Sequence, residues 1–185
     1  MNSAQTLLRR CIVAVLCVLM TVGVFAAAQT RDKLAELART GQIDEKASVK
    51  AETTARIAAP IATVWLLLVN AQAWPSWNRQ IEEVKVAGTL EAGTRFRWKN
   101  GSSAIQSQVQ LVEPQHRLAW TGTAITAKAI HVWELAPADE GQTQVTVKES
   151  MEGFLVKQLF PSDKLMESEK QWLNALKEAA EKRSR

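Results

Sequence analysis

The chain has 185 residues, 46% of them hydrophobic, with 23 Lys and Arg against 19 Asp and Glu, a net charge of +4 and a pI near 9.2. That excess of positive charge is too small to mark a nucleic-acid partner. The two cysteines are Cys11 and Cys17, so the chain beyond them has no disulfide, thiol nucleophile or Cys metal site.

The first segment has the three parts of an export signal. Arg9 and Arg10 precede an apolar run from Cys11 to Phe25, and Ala26-Ala27-Ala28 ends it with small residues. A signal peptide over residues 1–28, cut after Ala28, is expected, which places the mature domain in the periplasm or outside the cell. The alternative is an uncleaved N-terminal helix. The stretch from Cys11 to Ala28 comes close to the roughly 20 residues a spanning helix needs. Membrane contact is expected only through that segment. Residues 29–47 are polar and read as a spacer or a loosely docked helix, capped at Thr30 and closed by Gly41.

Residues 48–185 form the expected domain. Val49, Ala51, Thr53, Ala55 and Ile57 alternate, predicting a strand over 48–58. Pro60 opens a helix carrying Ile61, Val64, Trp65 and Leu68 at helical spacing. After Trp74-Pro75, Ser76 is placed to cap a short second helix. Leu66 and Leu67 offer either an apolar contact patch or deeper burial, and burial is the reading adopted.

Six more strands follow, over 81–87, 94–99, 103–112, 118–125, 128–136 and 143–151, with Asn100-Gly101 as the clearest hairpin turn. The period then changes. After Pro161, Ser162 caps a long helix whose Leu165, Trp172, Leu173, Leu176 and Ala180 form one apolar stripe, with Lys and Glu on the other face. The predicted fold class is α+β. A seven-stranded curved antiparallel sheet wraps a long C-terminal helix, with two short helices after the first strand.

The chain from about Ser48 to Lys182 resembles the START/Bet v 1-like (SRPBCC) superfamily, in its polyketide cyclase/dehydrase-like branch. The resemblance rests on Ile57-Ala58-Ala59-Pro60 with Val64-Trp65, Trp74-Pro75-Ser76-Trp77-Asn78, Gly93-Thr94-Arg95-Phe96-Arg97-Trp98, His131-Val132-Trp133 and Glu149-Ser150 before Gly153. It implies a helix-grip fold with an internal cavity for apolar ligands. It does not imply one activity, because one fold hosts many functions.

Strand alternation names the inward face independently. Phe96 and Trp98 point in from the third strand, Ile105, Ser107, Val109 and Leu111 from the fourth, and Leu118, Trp120 and Gly122 from the fifth. His131, Trp133 and Leu135 follow on the sixth, then Val145, Val147, Glu149 and Met151 on the seventh. The ligand-binding set is therefore Trp77, Phe96, Trp98, Ser107, Val109, Trp120, His131, Trp133, Val147, Glu149 and Met151.

His131 and Glu149 do not suit a dry core. A turn at residues 139–141 sets them opposite each other, where they satisfy one another, anchor a ligand or exchange protons. There is no second His at metal spacing and no phosphate loop, so neither metal nor cofactor is expected. The leading expectation is an exported, non-catalytic binder of a small apolar molecule or lipid. The alternatives are a cyclase or dehydratase using His131 and Glu149, and an envelope structural protein whose interior is filled by Trp.

Overall fold

The computed structural model describes residues 29 and 31–185. The expected export segment lies outside the described residues. Among those described, no helix is long and apolar enough to cross a membrane. The chain divides into two units, Met1–Lys33 and Leu34–Arg185, and the second carries the fold.

Helix α1 covers residues 31–39. Strand β1 (Val49–Ile57) leads to α2 (Ile61–Val69) and a 3-10 turn (Ala71–Ser76). Six strands follow: β2 (Ile81–Lys85), β3 (Arg95–Asn100), β4 (Ser103–Glu113), β5 (Arg117–Ala124), β6 (Ala127–Pro137) and β7 (Thr143–Glu152). A short helix α3 (Val156–Leu159) precedes the long α4 (Ser162–Arg183). The sheet order is β1-β7-β6-β5-β4-β3-β2, and every pair is antiparallel. The chain thus meanders from β2 to β7, and β1 returns to flank β7. This is the expected helix-grip architecture.

Local chemistry explains the joints. Gly101 takes φ +53 in the tight β3–β4 turn, a conformation that glycine adopts without strain. The β6–β7 hairpin pairs Leu135 with Val145, Trp133 with Val147 and His131 with Glu149, as its turn position predicts. Helix α4 buries Leu165, Trp172, Leu173, Leu176 and Ala180. The main core joins four of these to the concave face of the sheet and to the buried side of α2.

The second face of the sheet is also covered. Leu34, Ala38 and Ile43 pack on Ala119, Ile130 and Val132. Arg117 forks onto Glu113 at 2.6 and 2.9 Å and donates to the Thr40 carbonyl at 3.2 Å, tying down the end of α1. The segment read as a spacer or loosely docked helix is seated on the sheet from Leu34 onward, because Leu34, Leu37 and Ala38 share one helical face.

Four expectations change. Leu111 does not face the core. Gln110 is an extra residue in the β4–β5 ladder between the Val109–Trp120 and Leu111–Ala119 pairs. This bulge turns Leu111 toward the α1 cluster and puts Val112 against the main core. The second helical turn lies before Ser76, not after it, since Ser76 donates its hydroxyl back to the Ala73 carbonyl at 2.7 Å. Ser162 does not cap α4: its hydroxyl accepts the Lys50 N–H at 3.0 Å, and Pro161 holds the cap position. Finally, Leu66 and Leu67 part company, with Leu67 buried and Leu66 61% exposed.

Candidate functional site

β6, β7 and α4 meet at three titratable side chains. His131 comes from β6, Glu149 from β7 and Glu169 from α4. The first two are brought together by strand register. Glu169 arrives from the helix, at 4 residues past Leu165 and 3 before Trp172 on its buried face. His131 is 2% exposed and Glu169 1%. The Glu149 side chain keeps 14%, so the cluster reaches solvent at that edge.

The hydrogen-bond geometry is specific. His131 Nδ1 lies 3.2 Å from Glu149 Oε2, and the N–H donates to the carboxylate. His131 Nε2 lies 3.7 Å from Glu169 Oε2, too long for a hydrogen bond, and neither of those two atoms has another partner. Glu149 and Glu169 are close neighbours in the same cluster.

The two carboxyls are driven apart. Burial pushes Glu169 well above its ordinary value, and the charge of Glu149 and their shared hydrogen bond add to the rise. Burial also acts to raise Glu149. The hydrogen bond and electrostatic pull of His131, joined by the hydrogen bond from Glu169, outweigh it and hold Glu149 below the ordinary value. Of the two, Glu169 holds a proton more readily and Glu149 ionises more readily.

Aromatic rings enclose the cluster. Trp120 stacks on the His131 imidazole with centroids 4.5 Å apart and planes within 6°. Trp172 and Trp133 flank the same ring at 5.1 and 5.4 Å. Trp74 joins Phe96, Trp98, Trp120 and Trp172, mostly edge to face. The indole N–H groups of Trp133 and Trp172 are buried without partners, as are His131 Nε2 and Glu169 Oε2. The Trp98 indole, in contrast, donates to Ser107 Oγ at 3.0 Å.

The expected ligand-binding residues fall into four groups. Phe96, Trp98, Trp120, Trp133, His131 and Glu149 gather in the aromatic cluster just described. Val109 and Val147 are core residues beside it, with Trp77 partly buried at the edge of the same core. Met151 packs further along α4, among Val49, Ala51, Val156 and Leu165. Ser107 is engaged by Trp98. A solvent-open surface pocket of about 430 Å³ lies outside this set, lined by Leu66, Val69, Asn70, Gln72, Gly88, Thr89 and Arg183.

Glu169 was missed from the sequence, along with Trp74 and Trp172 as ring partners. The signal for Glu169 was available. It interrupts the stripe of Leu165, Trp172, Leu173, Leu176 and Ala180 at a position whose helical phase is apolar.

Residues 48–181 match the family described as polyketide cyclase / dehydrase and lipid transport. No curated protein matches the chain significantly in sequence. Solved structures share the fold at low identity. A hypothetical protein of Helicobacter pylori aligns with TM-score 0.67 at 18% identity, over 74% of this chain and 90% of its own. An aromatase/cyclase of Streptomyces sp. R1128 aligns with TM-score 0.60 at 19% identity, over 74% and 95%. A START superfamily protein of Mycobacterium smegmatis aligns with TM-score 0.57 at 17% identity, over 73% and 96%.

Proposed function

We propose that this chain, which belongs to the polyketide cyclase / dehydrase and lipid transport family, is an exported protein that binds a small apolar molecule against its tryptophan cluster without transforming it. The observation that carries this reading is the group of unpartnered polar atoms among the rings: His131 Nε2, Glu169 Oε2 and the indole N–H groups of Trp133 and Trp172. An unmet buried polar group costs about 1–3 kcal/mol. A guest with an apolar body and one polar end removes that cost while burying its own surface at about 25 cal/mol per Å². The rings are in mutual contact through edge-to-face, tilted and stacked pairs, so entry requires them to part.

A catalytic reading has its own support. A raised Glu169 beside a lowered Glu149 and an imidazole is the pattern of an acid and a base held ready together. In that reading Glu169 donates a proton and Glu149, through His131, removes one, as a dehydration or cyclisation requires.

The test is native mass spectrometry of the protein purified from its own envelope, with organic extraction of bound molecules. It is paired with titration of the apolar fluorophore N-phenyl-1-naphthylamine, read by tryptophan quenching. A defined guest, or saturable quenching at one site that weakens in Glu149→Gln, supports binding. No guest and no saturable quenching overturns it in favour of a filled structural core. The measured mass also reports export, since cleavage after Ala28 leaves a chain that begins at Gln29.

A further inference from the structure

We propose that His131 and Glu169 bind a divalent transition-metal ion, with Glu149 orienting the histidine. Three observations converge on it. His131, Glu149 and Glu169 each offer a ligand atom within 4.8 Å of the others. Within this group of side chains, His131 Nε2 and Glu169 Oε2 face each other 3.7 Å apart, buried and without hydrogen-bond partners. Ligand bonds of about 2.1 Å to nitrogen and oxygen span that gap at an angle of about 125°, so the ion fits with little movement of either side chain.

The third observation is the partner of the other ring nitrogen. In the neutral imidazole, the Nδ1–H donated to Glu149 leaves the Nε2 lone pair directed at Glu169. A carboxylate behind a histidine is the arrangement that sets the tautomer and ring orientation of metal-bound imidazoles. The charge also balances. Two buried carboxylates are costly together, and one divalent cation neutralises both where a single proton neutralises only one. One imidazole nitrogen and one carboxylate suit zinc and its neighbours better than calcium or magnesium, which prefer an all-oxygen set.

The packed rings favour an ion over a larger cation. Trp120 lies flat on His131, and Trp133 and Trp172 close on it from other sides. An organic ammonium group would have to displace them, whereas a bare metal ion enters between atoms already facing each other. The partly exposed Glu149 marks the edge by which it reaches them. The remaining coordination positions are left to water or to the polar end of a guest.

The ion would take two of the polar atoms offered to a guest, and its binding is measured with no guest present. The full-length protein is stripped with chelator and titrated with Zn²⁺ alone, read by thermal melting and metal analysis, and then with Co²⁺, read by visible absorption. The expected result is one equivalent bound, a raised melting temperature and Co²⁺ ligand-field bands. All three should be lost in His131→Gln and Glu169→Gln. Glu149→Gln should bind about 10–100-fold more weakly. Glu169→Gln keeps the side-chain volume and removes a buried acid, so it tests the site even if His131→Gln fails to fold. No saturable uptake, or uptake unchanged in Glu169→Gln, overturns the proposal. Fluorophore quenching in the chelated protein keeps this outcome distinct from failure of guest binding.

Discussion

His131 and Glu149 face each other across the β6–β7 ladder, with the ring N–H donating to the carboxylate over 3.2 Å. Glu149 is held below its ordinary value of 4.5, so the folded state prefers its ionised form. Its contribution to stability is present above pH 4.5 and is lost as pH falls through the lowered folded value. In chelated protein, the urea midpoint should drop on acidification along that limb. Glu149→Ala should flatten the limb and cost about 1–3 kcal/mol at neutral pH, because His131 keeps a buried donor with no acceptor. A variant as stable as the wild type at neutral pH would show that the pair is not coupled to folding.

Glu169 gives the opposite slope. Its folded value is raised, so its stabilising contribution is complete below the unfolded value of 4.5 and disappears as pH rises through the raised value. Glu169→Gln reproduces the protonated shape without the charge. In chelated protein it should be more stable than the wild type near pH 8, by on the order of 1–3 kcal/mol, and the two should converge toward pH 4.5. Denaturant melts at both pH values check the sign. Equal stability at pH 8 would place the carboxylate in better solvation than its burial indicates.

Half of this pair could be read from the chain and half could not. Strand alternation and a single turn position suffice to set His131 opposite Glu149, because residues on one sheet face recur every second position and a hairpin turn fixes the register. The same rule failed at Leu111, since the bulge at Gln110 shifts the alternation by one residue and leaves no mark in the apolar pattern. Ser76 and Ser162 look like helix caps locally, but their hydroxyls are taken by the Ala73 carbonyl and the Lys50 N–H. Glu169 lies on a helix rich in surface Glu. Its burial follows from the phase of Leu165 and Trp172, and its partner lies on a different element. Which rings touch depends on how α4 meets the sheet, a tertiary relation that local spacing does not encode.

Trp98 and Ser107 form a second buried polar pair on neighbouring strands, where the indole N–H donates to Oγ at 3.0 Å. Ser107→Ala leaves that N–H without an acceptor and should cost about 1–2 kcal/mol. Trp98→Phe should cost more, since it also removes ring contacts with Trp74 and Trp172. The double variant should lose less than the two single losses combined. A double-mutant cycle in urea measures this coupling, and strict additivity would mean that the hydrogen bond adds nothing in solution.

Two glycines in similar-looking turns should respond differently to alanine. Gly101 has φ +53 with nothing within 4 Å of where a Cβ would stand. Gly101→Ala therefore carries only the left-handed strain of about 1–2 kcal/mol. Gly153 has φ +146, in a region that only glycine enters readily, and a Cβ there would run into the carbonyl oxygen of Thr126 and crowd Val156. That carbonyl is backbone, and the same turn is tied to the β7 exit by the Thr126 hydroxyl donating to the Phe154 carbonyl at 3.2 Å. The clash cannot be relieved by rotating a side chain. Gly153→Ala should cost about 4 kcal/mol or more and should loosen the junction between β7 and α3. Urea melts of both variants, with hydrogen exchange at residues 153–160, separate a local cost from a global one. Similar losses in the two would mean that the β7–α3 junction yields more easily than its contacts indicate.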